Sequence, residues 1–84
     1  MNYTVDWTED ALTALADIWL ISSHRAEINP AQNRIDRLLS GDPHRYGTEV
    51  SEDLYFLEVS PLRVQFEIAE QEHLVSIVHV REVS

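Results

Sequence analysis

The chain has 84 residues, a length that suits one domain with a thin core. Hydrophobic residues make up 44% and charged residues 25%, a balance typical of globular proteins rather than disordered ones. Without cysteine, a disulfide framework and thiolate chemistry are both excluded. Fifteen carboxylates against six basic residues, all arginine, give a formal net charge of −9, so the bulk field of the protein repels nucleic acid.

The apolar runs are too short for a membrane protein. The run Ile18 to Ile21 is far below the roughly 20 residues that span a bilayer. Residues 1–6 lack the basic segment and the apolar stretch of a signal peptide. We therefore expect one cytoplasmic domain over residues 1–84 that does not enter the membrane.

A strand and a helix are predicted at the N-terminus. Residues 2–7 alternate apolar and polar side chains, the period of a half-buried strand. Thr8 is placed to cap a helix over residues 9–22. The apolar stripe of this helix consists of Leu12, Leu15, Ala16 and Trp19. We expect Trp7 and Trp19 in the core between strand and helix; the alternative is an exposed Trp19 that anchors a partner.

A second helix is indicated by apolar residues at three- and four-residue steps. They are Ile28, Ala31, Ile35, Leu38 and Leu39. Two starts are open: Asn29-Pro30 suits a cap with proline at the first helical position, whereas Ile28 on the same stripe favours a start a few residues earlier. Gly41 is the predicted C-cap. Residues 41–53 are polar and predict a surface loop.

Three strands are predicted in the second half of the chain, over residues 54–59, 62–69 and 73–81. The middle one alternates cleanly, and the last is apolar on both faces, which favours a central position. The fold class is therefore α+β, in the order β-α-α-β-β-β. We expect an antiparallel helix hairpin packed on a mainly antiparallel four-stranded sheet.

This order of elements resembles the RelE/ParE superfamily of type II toxin-antitoxin systems. The segment YTVDWTEDALTALADIW is similar to the opening strand and first helix of that family. The segment LRVQFEI is similar to its strand that carries one arginine before an apolar-aromatic run, and SIVHVR is similar to its final strand. The resemblance covers nearly the whole chain.

The resemblance implies the toxin component of a toxin-antitoxin system, with a role in plasmid stabilisation. Such toxins act on translation by cleaving mRNA on the ribosome, or on DNA gyrase, and a cognate antitoxin neutralises them. We expect the antitoxin in the groove between the helix hairpin and the sheet, and a homodimer is left open. If active, the chain is a ribosome-dependent endoribonuclease without a cofactor. The alternative is a non-toxic protein-binding module that keeps the fold and has lost the basic catalytic surface, since lysine is absent.

The resemblance also assigns candidate catalytic residues. Arg63 matches the arginine of the third strand of the family, and Arg81 lies near the basic end of the fourth. Guanidinium groups suit phosphate, and His79, which has the same strand parity as Arg81, is of a residue type that suits acid or base catalysis. The competing interpretation pairs both arginines with glutamates across the sheet. Those glutamates are Glu58, Glu67 and Glu82.

A second candidate, for substrate binding, is the sequence His44-Arg45-Tyr46. A titratable ring, a guanidinium and an aromatic side chain together can stack on a base and hold a phosphate. The alternative is a polar segment without a role in binding. A metal site is not expected, because His73 and His79 lie six residues apart on one strand, roughly 20 Å at about 3.3 Å per residue.

Overall fold

The computed structural model describes residues 2–83 and confirms the predicted α+β class, a helix hairpin on a mainly antiparallel sheet. Its elements are β1 (Thr4–Trp7), α1 (Glu9–Ile21), α2 (Arg25–Gly41), α3 (Pro43–Tyr46), β2 (Thr48–Ser51), β3 (Leu54–Val59), β4 (Leu62–Ala69) and β5 (Leu74–Glu82). Among the described residues, no helix combines the length and hydrophobicity that crossing a membrane requires.

The sheet has five strands in the order β1-β5-β4-β3-β2, one more than the four predicted. Strand β1 pairs parallel to β5, and the other neighbours are antiparallel. The additional strand β2 and the short helix α3 lie within residues 41–53, which the sequence predicted as a loop. All four residues of β2 are exposed, and a bulge interrupts its pairing with β3. The strand therefore has no buried face, and no alternation marks it in the sequence.

Helix α1 begins as predicted but buries a different face. The Thr8 side chain accepts a hydrogen bond from the Ala11 amide, as a cap should. Ala11 and Leu15 are buried, whereas Trp19 is exposed, so the expectation of a core Trp19 is wrong. Trp7 is partly buried as predicted, and its indole N–H donates to Asp36 of α2 at 2.7 Å. Because Ala11 is small, α1 can approach the sheet closely on that side.

Helix α2 begins at Arg25, the earlier of the two predicted starts, so Pro30 lies inside the helix. Ile28 is 1% exposed, and its burial requires the helix to include it. The helix ends differently from the prediction: Gly41 is its last residue, and Asp42 takes the cap position. The Asp42 amide donates to the Leu38 carbonyl.

The core lies between the helices and one face of the sheet. The predicted alternation of β4 is confirmed, since the side chains predicted to face inward are buried and those between them are not. The buried residues of the two central strands are Leu62, Val64, Phe66, Ile68, Val75, Ile77 and Val80. The intervening side chains of β4 therefore stand on the opposite face of the sheet, away from the helix hairpin.

Candidate functional site

The strand register brings two arginines side by side on the open face of the sheet. Arg63 of β4 lies directly opposite Arg81 of β5, and Glu58 of β3 lies opposite Arg63 on its other side. Side chains directly opposite each other in an antiparallel pair have Cβ atoms about 4.5–5.5 Å apart. The next row of the same face is Phe56, Gln65 and His79. We call these six residues the sheet patch.

Arg63 is held in place from two sides. Its Nη1 donates to a carboxylate oxygen of Glu58 at 3.3 Å, and its Cζ lies 3.8 Å from the centre of the Phe56 ring. The Arg63 side chain is 28% exposed and that of Glu58 is 48% exposed. The predicted carboxylate pairing is therefore present, but at the surface, where such a pair is weak and exchangeable.

Arg81 and His79 are exposed, and neither makes an ion pair or a side-chain hydrogen bond with another residue in the range 2–83. Like charges directly opposite each other in a sheet are destabilising. The chain has a net charge of −9 and six arginines. Two of these six, Arg63 and Arg81, lie beside each other on the open face of the sheet. The arrangement suits a ligand that is itself an anion.

The chemistry that this patch can perform follows from its side chains. Two guanidinium groups can donate several hydrogen bonds to the oxygens of one phosphate. His79, one two-residue step along β5 from Arg81, places a titratable ring beside that phosphate. Thus Arg63 shares one face with Arg81 and His79, the two residues that strand parity had already placed together.

The second candidate, His44-Arg45-Tyr46, forms helix α3 and lies elsewhere. Nε2 of His44 is 2.5 Å from a carboxylate oxygen of Glu70, which follows β4. Seven residues at about 3.3 Å each separate Glu70 from Arg63, a distance of roughly 23 Å. The side chain of Arg45 stacks on Tyr46, with 5.5 Å between Cζ and the ring centre. These residues therefore do not complete the sheet patch.

The surroundings of Glu70 form a polar cluster that joins the ends of several elements. Tyr3 and His44 both hydrogen-bond to Glu70, and these hydrogen bonds hold the pKa of Glu70 below its ordinary value. The hydrogen bond to Glu70 raises the pKa of Tyr3. The His73 ring packs edge-on against Tyr3, with 5.4 Å between ring centres. The cluster connects β1, α3 and the β4–β5 turn.

Phe56 and Gln65 of the sheet patch were not identified from the sequence. Both lie within strands that were predicted, but their position beside Arg63 depends on how β3 pairs with β4. The register could have been read from the two-residue turn at Ser60-Pro61, which places Glu58 opposite Arg63 and Phe56 opposite Gln65. Among residues 2–83 there is no group of three side chains that could hold a metal ion.

By sequence, the chain matches no family model and no curated protein. By structure, it is similar to the toxin-antitoxin complex RelBE2 from Mycobacterium tuberculosis, with a TM-score of 0.80 and 20% identity over 98% of this chain and 99% of that one. It is also similar to the archaeal RelE-RelB complex from Pyrococcus horikoshii, with a TM-score of 0.70 and 18% identity over 98% and 96%.

A third similar structure is a mutant of the Escherichia coli toxin RelE in the free state. Its TM-score is 0.69 and its identity 17%, over 98% of this chain and 84% of that one. Each match extends over nearly the whole chain and includes both the helix hairpin and the sheet. The chain therefore has the fold of the RelE toxins.

Proposed function

We propose that the chain is a RelE-like toxin component that binds RNA at the sheet patch and cleaves it. The observation that carries the proposal is the direct pairing of Arg63 with Arg81 on an open sheet face. Binding to gyrase, the other target that the resemblance implies, would not require two adjacent arginines. Binding to the negatively charged phosphate of an RNA phosphodiester would use both of them. The charge of −9 disfavours capture of free RNA, which fits action on mRNA that the ribosome holds in place.

The proposed reaction is attack of a 2′-oxygen on the adjacent phosphorus. The new P–O2′ bond replaces the P–O5′ bond, which leaves a cyclic phosphate on one fragment and a 5′-hydroxyl on the other. Arg63 and Arg81 bind the non-bridging oxygens and stabilise the extra negative charge of the transition state. The 2′-hydroxyl loses its proton as the new bond forms, and the leaving 5′ oxygen gains one; His79 performs one of these two transfers and solvent water the other.

Glu58 has a defined place in this proposal. In the free protein its carboxylate occupies one edge of the Arg63 guanidinium, at 3.3 Å. A phosphate that approaches Arg63 from the Nη1 side has to displace that carboxylate before it can bind there. The Phe56 ring stacked on the guanidinium holds it in position during the exchange. Glu58 is therefore an internal competitor of the substrate.

We propose a cognate antitoxin as the partner that silences the protein. Several of the similar structures are complexes of such a toxin with its antitoxin, among them RelBE2 and the archaeal RelE-RelB complex. An open groove of about 250 Å³ lies between the N-terminal half of α2 and the β3–β4 turn, and its lining includes Ala26, Pro30, Ala31 and Val59. This groove between hairpin and sheet suits an apolar segment of the antitoxin.

Induction of the protein alone in growing bacteria tests the proposal. We expect prompt growth arrest with loss of intact mRNA, relieved by Arg81→Ala. Arg45→Ala is the matched control, because it removes an exposed arginine outside the sheet patch, and it should leave the arrest intact. Unimpeded growth with folded protein at the same level would contradict the proposal. Arrest with intact mRNA would contradict RNA cleavage.

A further inference from the structure

Helix α1 has a second apolar stripe, which faces solvent. We define the outer stripe as Leu12, Ala16, Trp19 and Leu20, which follow one another at four-, three- and one-residue steps on one side of the helix. Leu12 is 48% exposed, Trp19 is 43% exposed and Leu20 is 61% exposed. The adjoining side of α1 already contributes Ala11 and Leu15 to the core. A helix that is apolar on both sides is normally covered on both.

The Trp19 ring of this stripe is fixed before any partner arrives. Nε of Arg25 donates to the Trp19 carbonyl at 2.7 Å, and a second nitrogen of Arg25 donates to the Leu20 carbonyl. The same guanidinium lies 4.9 Å from the centre of the Trp19 ring. One side chain thus caps the end of α1 and supports the indole. An ordered tryptophan beside an arginine is the kind of anchor on which protein interfaces depend.

The charge around the outer stripe indicates what fits on it. All charged residues of α1 are acidic: Glu9, Asp10 and Asp17. Glu9 is in line with Ala16, two turns before it, and Asp17 is one turn before Leu20. A second copy whose α1 ran parallel to this one would bring the same carboxylates together, which is unfavourable. A segment with lysine or arginine beside its own apolar stripe is complementary in both respects.

We propose that the outer stripe of α1 binds an amphipathic helical segment with basic flanks from another protein. The segment would lay apolar side chains at helical spacing against Leu12, Ala16 and Trp19, and its basic residues would meet Glu9 and Asp17. The sheet patch projects from the face of the sheet opposite the helices. The proposal therefore stands whether or not the sheet patch cleaves RNA.

The test uses three synthetic peptides of one length. The first places leucine on one face of a helix and lysine on the others, the second has the same composition in scrambled order, and the third replaces each lysine by glutamate. Binding to the intact chain is followed by tryptophan fluorescence, in which exposed Trp19 should shift to shorter wavelength. We expect binding of the first peptide, weakened about tenfold by Ala16→Glu or Leu12→Gln.

The matched control is Asn33→Glu, which adds the same charge at an exposed position of α2. It should bind the first peptide as the unmodified chain does. If the scrambled peptide binds equally well, or if Ala16→Glu has no effect on binding, the attraction is only electrostatic and the proposal is overturned. Self-association of the chain alone that Ala16→Glu abolishes would also overturn it, because a second copy would then cover the stripe.

Discussion

Removal of the Glu58 carboxylate should strengthen phosphate binding at the sheet patch. In the proposed mechanism, this carboxylate occupies Arg63 at 3.3 Å and is displaced when a phosphate binds. Glu58→Gln keeps the size of the side chain and removes its charge. The variant should therefore bind inorganic phosphate and short RNA more tightly than the unmodified chain, although the same change at most surface positions would do little.

The size of the effect follows from the geometry of the pair. Opposite unit charges 3.3 Å apart attract by about 1.3 kcal/mol in a medium with the dielectric constant of water. Exposed pairs contribute less, about 0.2–1 kcal/mol, because solvent and salt screen them and ordering the side chains costs entropy. Loss of the competing pair should thus raise phosphate affinity by roughly 1.5- to 5-fold.

The phosphate affinity can be measured directly by titration with inorganic phosphate at constant ionic strength. The NMR signals of the arginine Nε–H groups report the binding. The chain has six arginines, so few signals have to be separated. Glu67→Gln is the matched control, because Glu67, like Glu58, is an exposed glutamate in the sheet. It lies on β4, where its neighbours across the sheet are Leu54 and Ser76 rather than an arginine. Equal affinities of the two variants would refute the reasoning, and so would phosphate shifts that appear away from Arg63 and Arg81.

Two further predictions concern stability. Glu70→Gln should destabilise the protein at neutral pH but not in acid. Because folding lowers the pKa of Glu70, its ionised carboxylate stabilises the fold at pH values above its ordinary pKa of 4.5. This stabilisation is lost as the pH falls through the lower pKa of the folded protein. Denaturant melts at pH 7 and pH 3 measure it, and an equal deficit at both would contradict it. Gly47→Ala should cost about 1–3 kcal/mol in the free energy of unfolding, because the added Cβ would clash with the Phe66 ring and the Pro43 carbonyl oxygen. Gly41→Ala, with nothing within 4 Å of its added Cβ, should be neutral or stabilising. Equal effects of the two alanines would show that the close approach at Gly47 is unimportant.

The sequence was most informative where burial is one-sided. Strand β4 alternates because one face lies on the core, so its inward residues could be identified directly. Helix α1 has two apolar stripes, and periodicity alone cannot tell which of them packs on the sheet. Small Ala11 was overlooked beside large Trp19, although the smaller residue is the buried one.

The candidate site was predictable as a set of residues but not as an arrangement. Arg63, Arg81 and His79 were each placed on a strand with the correct parity. Their adjacency depends on which strands pair and in which register, information that is spread over the whole chain. Strand β2 could not be predicted for a related reason: it is polar and held in the sheet by β3 alone.

The central claim is that Arg63 and Arg81 act together on the phosphodiester of a ribosome-bound mRNA. The most direct measurement adds the purified protein to programmed ribosomes and maps the ends of the mRNA. We predict cleavage that leaves a 5′-hydroxyl on the downstream fragment, and its loss in Arg63→Ala and in Arg81→Ala, both still folded. Intact mRNA with the unmodified chain, or equal cleavage by the chain and both variants, would contradict the claim.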